Sequence, residues 1–75
     1  MGSYEKLVAT AVESVPPLPF AEHGWIVTFA DIFEYCRNRG YDNHEIIRDV
    51  LKKMHENGDV EAVYSSQELM VGVRI

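Results

Sequence analysis

The sequence predicts a small α+β domain of three helices, a short strand and a C-terminal β-hairpin, the strands joining in a small antiparallel sheet. Three observations predict it. Apolar residues recur at the helical period in three separate stretches; the period changes to two after Asn57-Gly58; and 75 residues suffice for one domain, 1–75, and no more. A chain this short buries only roughly 60% of its unfolded surface, so nearly every apolar side chain is needed in the core.

The first helix is expected over 4–15, where Tyr4, Leu7, Val8, Ala11, Val12 and Val15 share one face and Ser3 stands as N-cap. Pro16, Pro17 and Pro19 end it, because proline lacks an N–H donor and restricts the residue before it. Leu18, Phe20 and Trp25 are expected to close the core, the alternative being an exposed proline and aromatic docking surface. After Gly24, Trp25-Ile26-Val27 has the β-branched and aromatic character of a short strand. The second helix is expected over 28–39. Thr28 and Asp31 make its capping pair, Phe29, Ile32, Phe33 and Cys36 lie in one arc, and Gly40 stands where a left-handed cap belongs. The third is expected over 43–57, announced by Asp42 and Glu45, buried through Ile46, Ile47, Val50, Leu51 and Met54, and stopped by Asn57-Gly58. So tight a junction makes the two a helix-turn-helix pair. Val60–Tyr64 and Leu69–Ile75 then alternate as strands around Ser65-Ser66-Gln67-Glu68. Leu69, Val71, Val73 and Ile75 would share one sheet face, with Val63 and Met70 on the other. Two apolar faces would favour dimerisation or partner docking.

This order of elements resembles the winged-helix superfamily over essentially the whole chain. The run Val50-Leu51-Lys52-Lys53-Met54-His55-Glu56-Asn57-Gly58-Asp59-Val60 carries the resemblance best, as a third helix ending in a glycine turn that feeds the first wing strand. The stretch 28–60 is similar in layout to the winged-helix domain that ends archaeal minichromosome-maintenance helicases. That family's wing usually closes on an aromatic-rich segment, where this chain has Met70-Val71-Gly72-Val73. The wing Tyr64-Ser65-Ser66 and Met70-Val71-Gly72 is similar to that of the small winged-helix protein associated with dissimilatory sulfite reductase, which implies a protein partner and a regulatory role. Winged helices serve DNA binding, protein docking and enzyme regulation alike, so the fold leaves function to the surface.

Charge points in two directions. Twelve acids against seven bases give −5, the wrong overall sign for a general nucleic-acid binder. Yet residues 37–55 hold five bases and three acids, for +2, while the rest of the chain carries −7. The positive excess falls on the helix-turn-helix, the part that approaches a phosphate backbone. On the third helix, counting from His44, His55, Arg48 and Lys52 fall at about 20°, 40° and 80°, beside the buried arc, with Glu45, Glu56 and Asp49 next to them. The candidate nucleic-acid contacts are therefore Arg37, Arg39, His44, Arg48, Lys52 and Lys53, with Ser65, Ser66 and Gln67 of the wing tip as phosphate donors. Glu68 at the same tip would repel phosphate. The alternative is a plain solvated face on which Asp49 pairs with Lys52 or Lys53.

Catalysis is not expected. The sequence has no HExxH, paired CxxC, glycine-rich phosphate loop or nucleophile elbow. His44 and His55 stand three helical turns apart, about 16 Å, too far to share one ion. Cys36 falls in the apolar arc of its helix, and as the one cysteine it excludes an internal disulfide and fits a reducing, cytoplasmic setting. No apolar stretch reaches the roughly 18–20 residues of a membrane span, and no signal-peptide pattern opens the chain. The expectation is a non-enzymatic binding module without metal or cofactor. It would bind double-stranded DNA in transcription or replication regulation, with no membrane partner. A protein-docking or allosteric subunit that ignores DNA is the alternative.

Overall fold

Residues 3–74 are described by the computed structural model. They run α1 (Ser3–Ser14), β1 (Leu18–Phe20), β2 (Gly24–Thr28), α2 (Phe29–Arg37), α3 (His44–Glu56), β3 (Glu61–Tyr64) and β4 (Met70–Arg74). Ile75, expected to end the last strand, lies outside the described residues. The strands form one antiparallel sheet in the order β1-β2-β4-β3, and β3–β4 is the expected wing. Three helices, this sheet and the terminal hairpin make a winged-helix-like α+β arrangement. No helix among the described residues is long and apolar enough to cross a membrane.

Local chemistry explains most helix ends. The Thr28 side chain accepts the Asp31 N–H at 3.2 Å and caps α2. At α3 the cap is Asn43, not Asp42: its Oδ1 accepts the Glu45 and Ile46 N–H groups at 3.1 and 3.2 Å. A cap oxygen reaches two or three residues ahead, and α3 starts one residue too late for Asp42 to serve. Ser3, expected as a cap, is instead the first helical residue of α1. Both α2 and α3 end on the same double bond pattern. Tyr41 N–H donates to Cys36 O and Gly40 N–H to Arg37 O, while Asp59 N–H donates to Met54 O and Gly58 N–H to His55 O. Gly40 and Gly58 sit at φ 88° and 84°, the left-handed conformation this ending requires.

The β1–β2 hairpin was not expected, because three prolines argue against a strand. Position resolves the conflict. β1 is an edge strand; the His23 N–H closes the loop on Phe20 O at 3.1 Å, and Gly24 follows at φ 76°. Pairing then alternates through Phe20↔Gly24, Pro19↔Trp25 and Leu18↔Ile26. Pro19 thus occupies the place whose backbone points away from β2, where no N–H is needed.

The core gathers Val8, Ala11 and Val12 of α1, Ile32 and Cys36 of α2, Ile47 and Leu51 of α3, and Val27 and Val73 of the sheet. Leu18, Phe20 and Trp25 do not close it; they are 45%, 36% and 63% exposed. The register gives the reason: Leu18 and Phe20 pair with Ile26 and Gly24, on the sheet face opposite the core residue Val27, while Trp25 shares the face of Val27 but lies beyond the last β2–β4 pair, Val27↔Val73. Ile46, also expected inside, is exposed at the rim of α3, and Phe33 is only half-buried. The alternation expected in the last strand fails as well. An irregularity between Val63 and Tyr64 pairs Tyr64 with Met70, which brings Met70 onto the core and leaves Leu69 out in the turn.

Leu51→Ala or Ile32→Ala should cost about 2–5 kcal/mol in urea denaturation, because each empties a fully buried site. Trp25→Ala should stay within about 1 kcal/mol of the parent, as an exposed position outside the core does.

Candidate nucleic-acid interface

α3 divides its solvent side into two flanks. On one, His44, Arg48, Lys52 and His55 follow one another at three- or four-residue steps, and both ends are tied down. The His44 ring lies 3.9 Å from the Phe33 ring and 5.5 Å from that of Phe29, centroid to centroid, so it packs against α2. At the other end His55 Nδ1 accepts the Ala62 N–H of β3 at 3.0 Å. That bond requires Nδ1 without its proton. Arg48, half-buried, and Lys52, exposed, therefore lie between a contact to α2 and a contact to the wing. Among the described residues neither forms an ion pair, and Asp49 pairs with neither Lys52 nor Lys53, so the expected solvated pair is absent.

The second flank faces α1 and is mixed in charge. Ile46, Asp49, Val50 and Lys53 line a shallow groove of about 230 Å³ with Tyr4 and Glu5. Lys53 thus belongs with Asp49 rather than with Arg48 and Lys52. Tyr4 anchors this side: its hydroxyl accepts the Asn43 N–H at 3.2 Å and its ring meets Tyr41 edge-on at 4.9 Å.

The remaining expected contacts separate by what already holds them. Arg39 lies over the Tyr35 ring at 3.6 Å and donates to Tyr35 O at 3.0 Å, which commits its guanidinium to its own helix. Arg37 is exposed at the end of α2 and forms no ion pair among the described residues. Ser65 builds the wing turn: its Oγ accepts the Gln67 and Leu69 N–H groups at 3.2 and 3.3 Å. Ser66 and Gln67 are exposed at the tip beside Glu68, which is held at φ 62°. The structure thus brings together His44, Arg48 and Lys52, leaves Arg37, Ser66 and Gln67 available, sets Lys53 on the flank toward α1, and engages Arg39 and Ser65 in contacts of their own. Among the described residues no group of three His, Cys, Asp or Glu side chains is placed to hold a metal ion.

The role of His55 as an acceptor for β3 escapes sequence reasoning, since its partner comes from tertiary packing. The Arg39–Tyr35 contact was within reach, as a pair four residues apart at a helix end. The chain matches no protein-family model, no curated protein and no solved structure.

Cys36 is fully buried, and burial pushes its thiol pKa up against a smaller opposing pull from the Arg39 charge. The folded chain therefore keeps the thiol proton to higher pH than the unfolded chain. Its contribution to stability is present below the ordinary thiol range and lost as pH rises through the elevated value. Ellman titration at neutral pH should find Cys36 unreactive in the native domain and fully reactive in urea.

Proposed function

We propose that this domain is a non-enzymatic winged-helix module that binds double-stranded DNA through α3, in the regulation of transcription or replication. One observation carries the proposal: Arg48 and Lys52 stand one helical turn apart, free of ion pairs, on a flank of α3 held between α2 and the wing. An arginine fork and a lysine at this spacing suit adjacent phosphates or a base edge in a groove. Arg37 at the end of α2 and the Ser66 and Gln67 groups of the wing tip add backbone donors. Of the acids of α3, Asp49 lines the groove toward α1, whereas Glu45 and Glu56 border Lys52 and weaken the positive field there. With so few cations on a chain of net charge −5, binding is weak and dominated by the phosphate backbone.

A protein-docking role is the second reading. It is favoured by the large apolar residues left exposed at Leu18, Phe20 and Trp25.

Fluorescence anisotropy with a labelled duplex at several salt concentrations tests the DNA reading. Wild type should bind at low salt, and replacing both Arg48 and Lys52 with alanine should weaken binding and flatten the logarithmic salt slope by about two. Arg39→Ala should leave the slope unchanged, because that guanidinium is already engaged by Tyr35. Absence of wild-type binding at low salt, or a double variant that binds like wild type, would overturn the proposal.

A further inference from the structure

We infer that the cleft between the β1–β2 turn and the wing turn docks a partner protein, which enters with a short segment carrying apolar and basic side chains. The cleft measures about 490 Å³, roughly twice the groove between α1 and α3. Phe20 and Val71 give it apolar walls, and Glu22, His23, Ser65 and Ser66 line the rest. Leu18 shares the face of Phe20, two residues along β1, and is 45% exposed, so apolar surface continues out of the cleft for about 7 Å. This surface is packed from within: Ile26, paired with Leu18 on the face away from the helices, is fully buried. A preformed strip longer than one side chain fits an extended peptide rather than a lone ion.

Charge selects what can enter. The strands and turns over 15–28 and 57–74 hold four acids, Glu22, Asp59, Glu61 and Glu68, against one base, Arg74. That base is already engaged. Its Nε and Nη2 each lie 3.0 Å from Glu61 Oε1, and its Nη1 donates to the His23 carbonyl oxygen at 2.7 Å. Glu22, on the cleft wall, has a side chain 88% exposed and pairs with no lysine or arginine among the described residues; its contact to the His23 ring is long, at 4.0 Å. Glu68 stands in the adjoining wing turn, where its N–H donates to Ser65 O at 2.9 Å. A lysine or arginine entering the cleft therefore meets a carboxylate with no competing cation, whereas a phosphate or an acidic segment meets repulsion. Apolar walls and an uncompensated carboxylate together define the partner: apolar side chains for Leu18, Phe20 and Val71, and a cation for Glu22.

This contact rests on the docking reading, to which it gives a place and a partner charge, and not on the binding of DNA by α3. Trp25 takes no part in it, because the register sets Trp25 on the sheet face opposite Leu18 and Phe20. Ser66 belongs both to the cleft and to the wing-tip donors offered to DNA, so the test leaves it unchanged. Failure of either reading then leaves the other standing.

The test is a titration followed by backbone amide NMR shifts, using the end-blocked peptides Lys-Leu-Phe-Lys, Glu-Leu-Phe-Glu and Lys-Ser-Ser-Lys up to about 10 mM. Lys-Leu-Phe-Lys should move the amides of Phe20, Glu22, His23 and Val71 saturably and leave those of α1 and α3 in place. The other two peptides should bind at least about fivefold more weakly, one lacking the cations and one the apolar side chains. Glu22→Gln, at a side chain too exposed to carry the fold, should weaken Lys-Leu-Phe-Lys about two- to fivefold, the range of one exposed ion pair. Phe20→Ser should abolish the shifts while far-UV circular dichroism shows it folded, and Trp25→Ser, on the other face, should bind like wild type. Absence of cleft shifts with Lys-Leu-Phe-Lys, or binding unchanged in Glu22→Gln, would overturn the inference. Equal binding by Glu-Leu-Phe-Glu would overturn it too, leaving the docking reading without its charge selection. So would cleft shifts produced by raising the protein concentration alone, which would give the cleft to a second copy of the chain.

Discussion

The structure depends on a close approach of two strands at Gly72. β4 lies between β2 and β3, and Gly72 sits opposite Thr28 on one side and Val63 on the other. A Cβ at this position would run into the Val27 carbonyl oxygen and come within 2.9 Å of Thr28 Cα. With only hydrogen there, the β2 backbone settles onto β4. Thr28 is at once the end of β2 and the cap of α2, so the strand contact also fixes where the helix pair begins. From that point the chain is held at each later step. His44 packs on Phe33, Tyr4 receives the Asn43 N–H, and His55 receives the Ala62 N–H of the wing. Arg74 closes the circuit, with its guanidinium on Glu61 of β3 and on the His23 carbonyl oxygen of the β1–β2 turn.

This circuit explains how an acidic chain can present a basic flank. Net charge describes the field far from a protein, whereas contact depends on which side chains are free and which way they face. Among the described residues Arg48 and Lys52 form no ion pair, and Asp49 lies on the other flank of α3, toward α1. The apolar hairpin stands at another part of the sheet. The proposed DNA contact and the exposed apolar hairpin therefore involve different residues and can be tested separately.

Legibility in the sequence followed the range of the interactions. Thr28, Gly40 and Gly58 were readable because a cap or a left-handed ending involves residues only a few positions apart. Asn43 was missed by one residue, since Asp42 and Asn43 carry equally good cap oxygens and only the true start of α3 chooses between them. The strand at Leu18–Phe20 is hidden by Pro19 and the two prolines before it; Pro19 is tolerated only because β1 is an edge, a fact of topology rather than of local pattern. Trp25 was misplaced for a related reason. Economy of a small core argues for burying the largest side chain, but the sheet register carries this residue beyond the helices. At the candidate site, composition located the cations correctly on the helix-turn-helix. It did not show that Tyr35 holds Arg39 or that Ser65 spends its oxygen on its own turn.

The steric constraint at Gly72 is open to one direct measurement, the equilibrium urea denaturation of Gly72→Ala. Gly72 does not require a left-handed backbone, so a loss on adding one methyl group reports the collision with β2 and little else. The account predicts a loss of about 1–3 kcal/mol or more, the range of overpacking at a site that cannot yield. A Gly72→Ala domain as stable as the parent would contradict it.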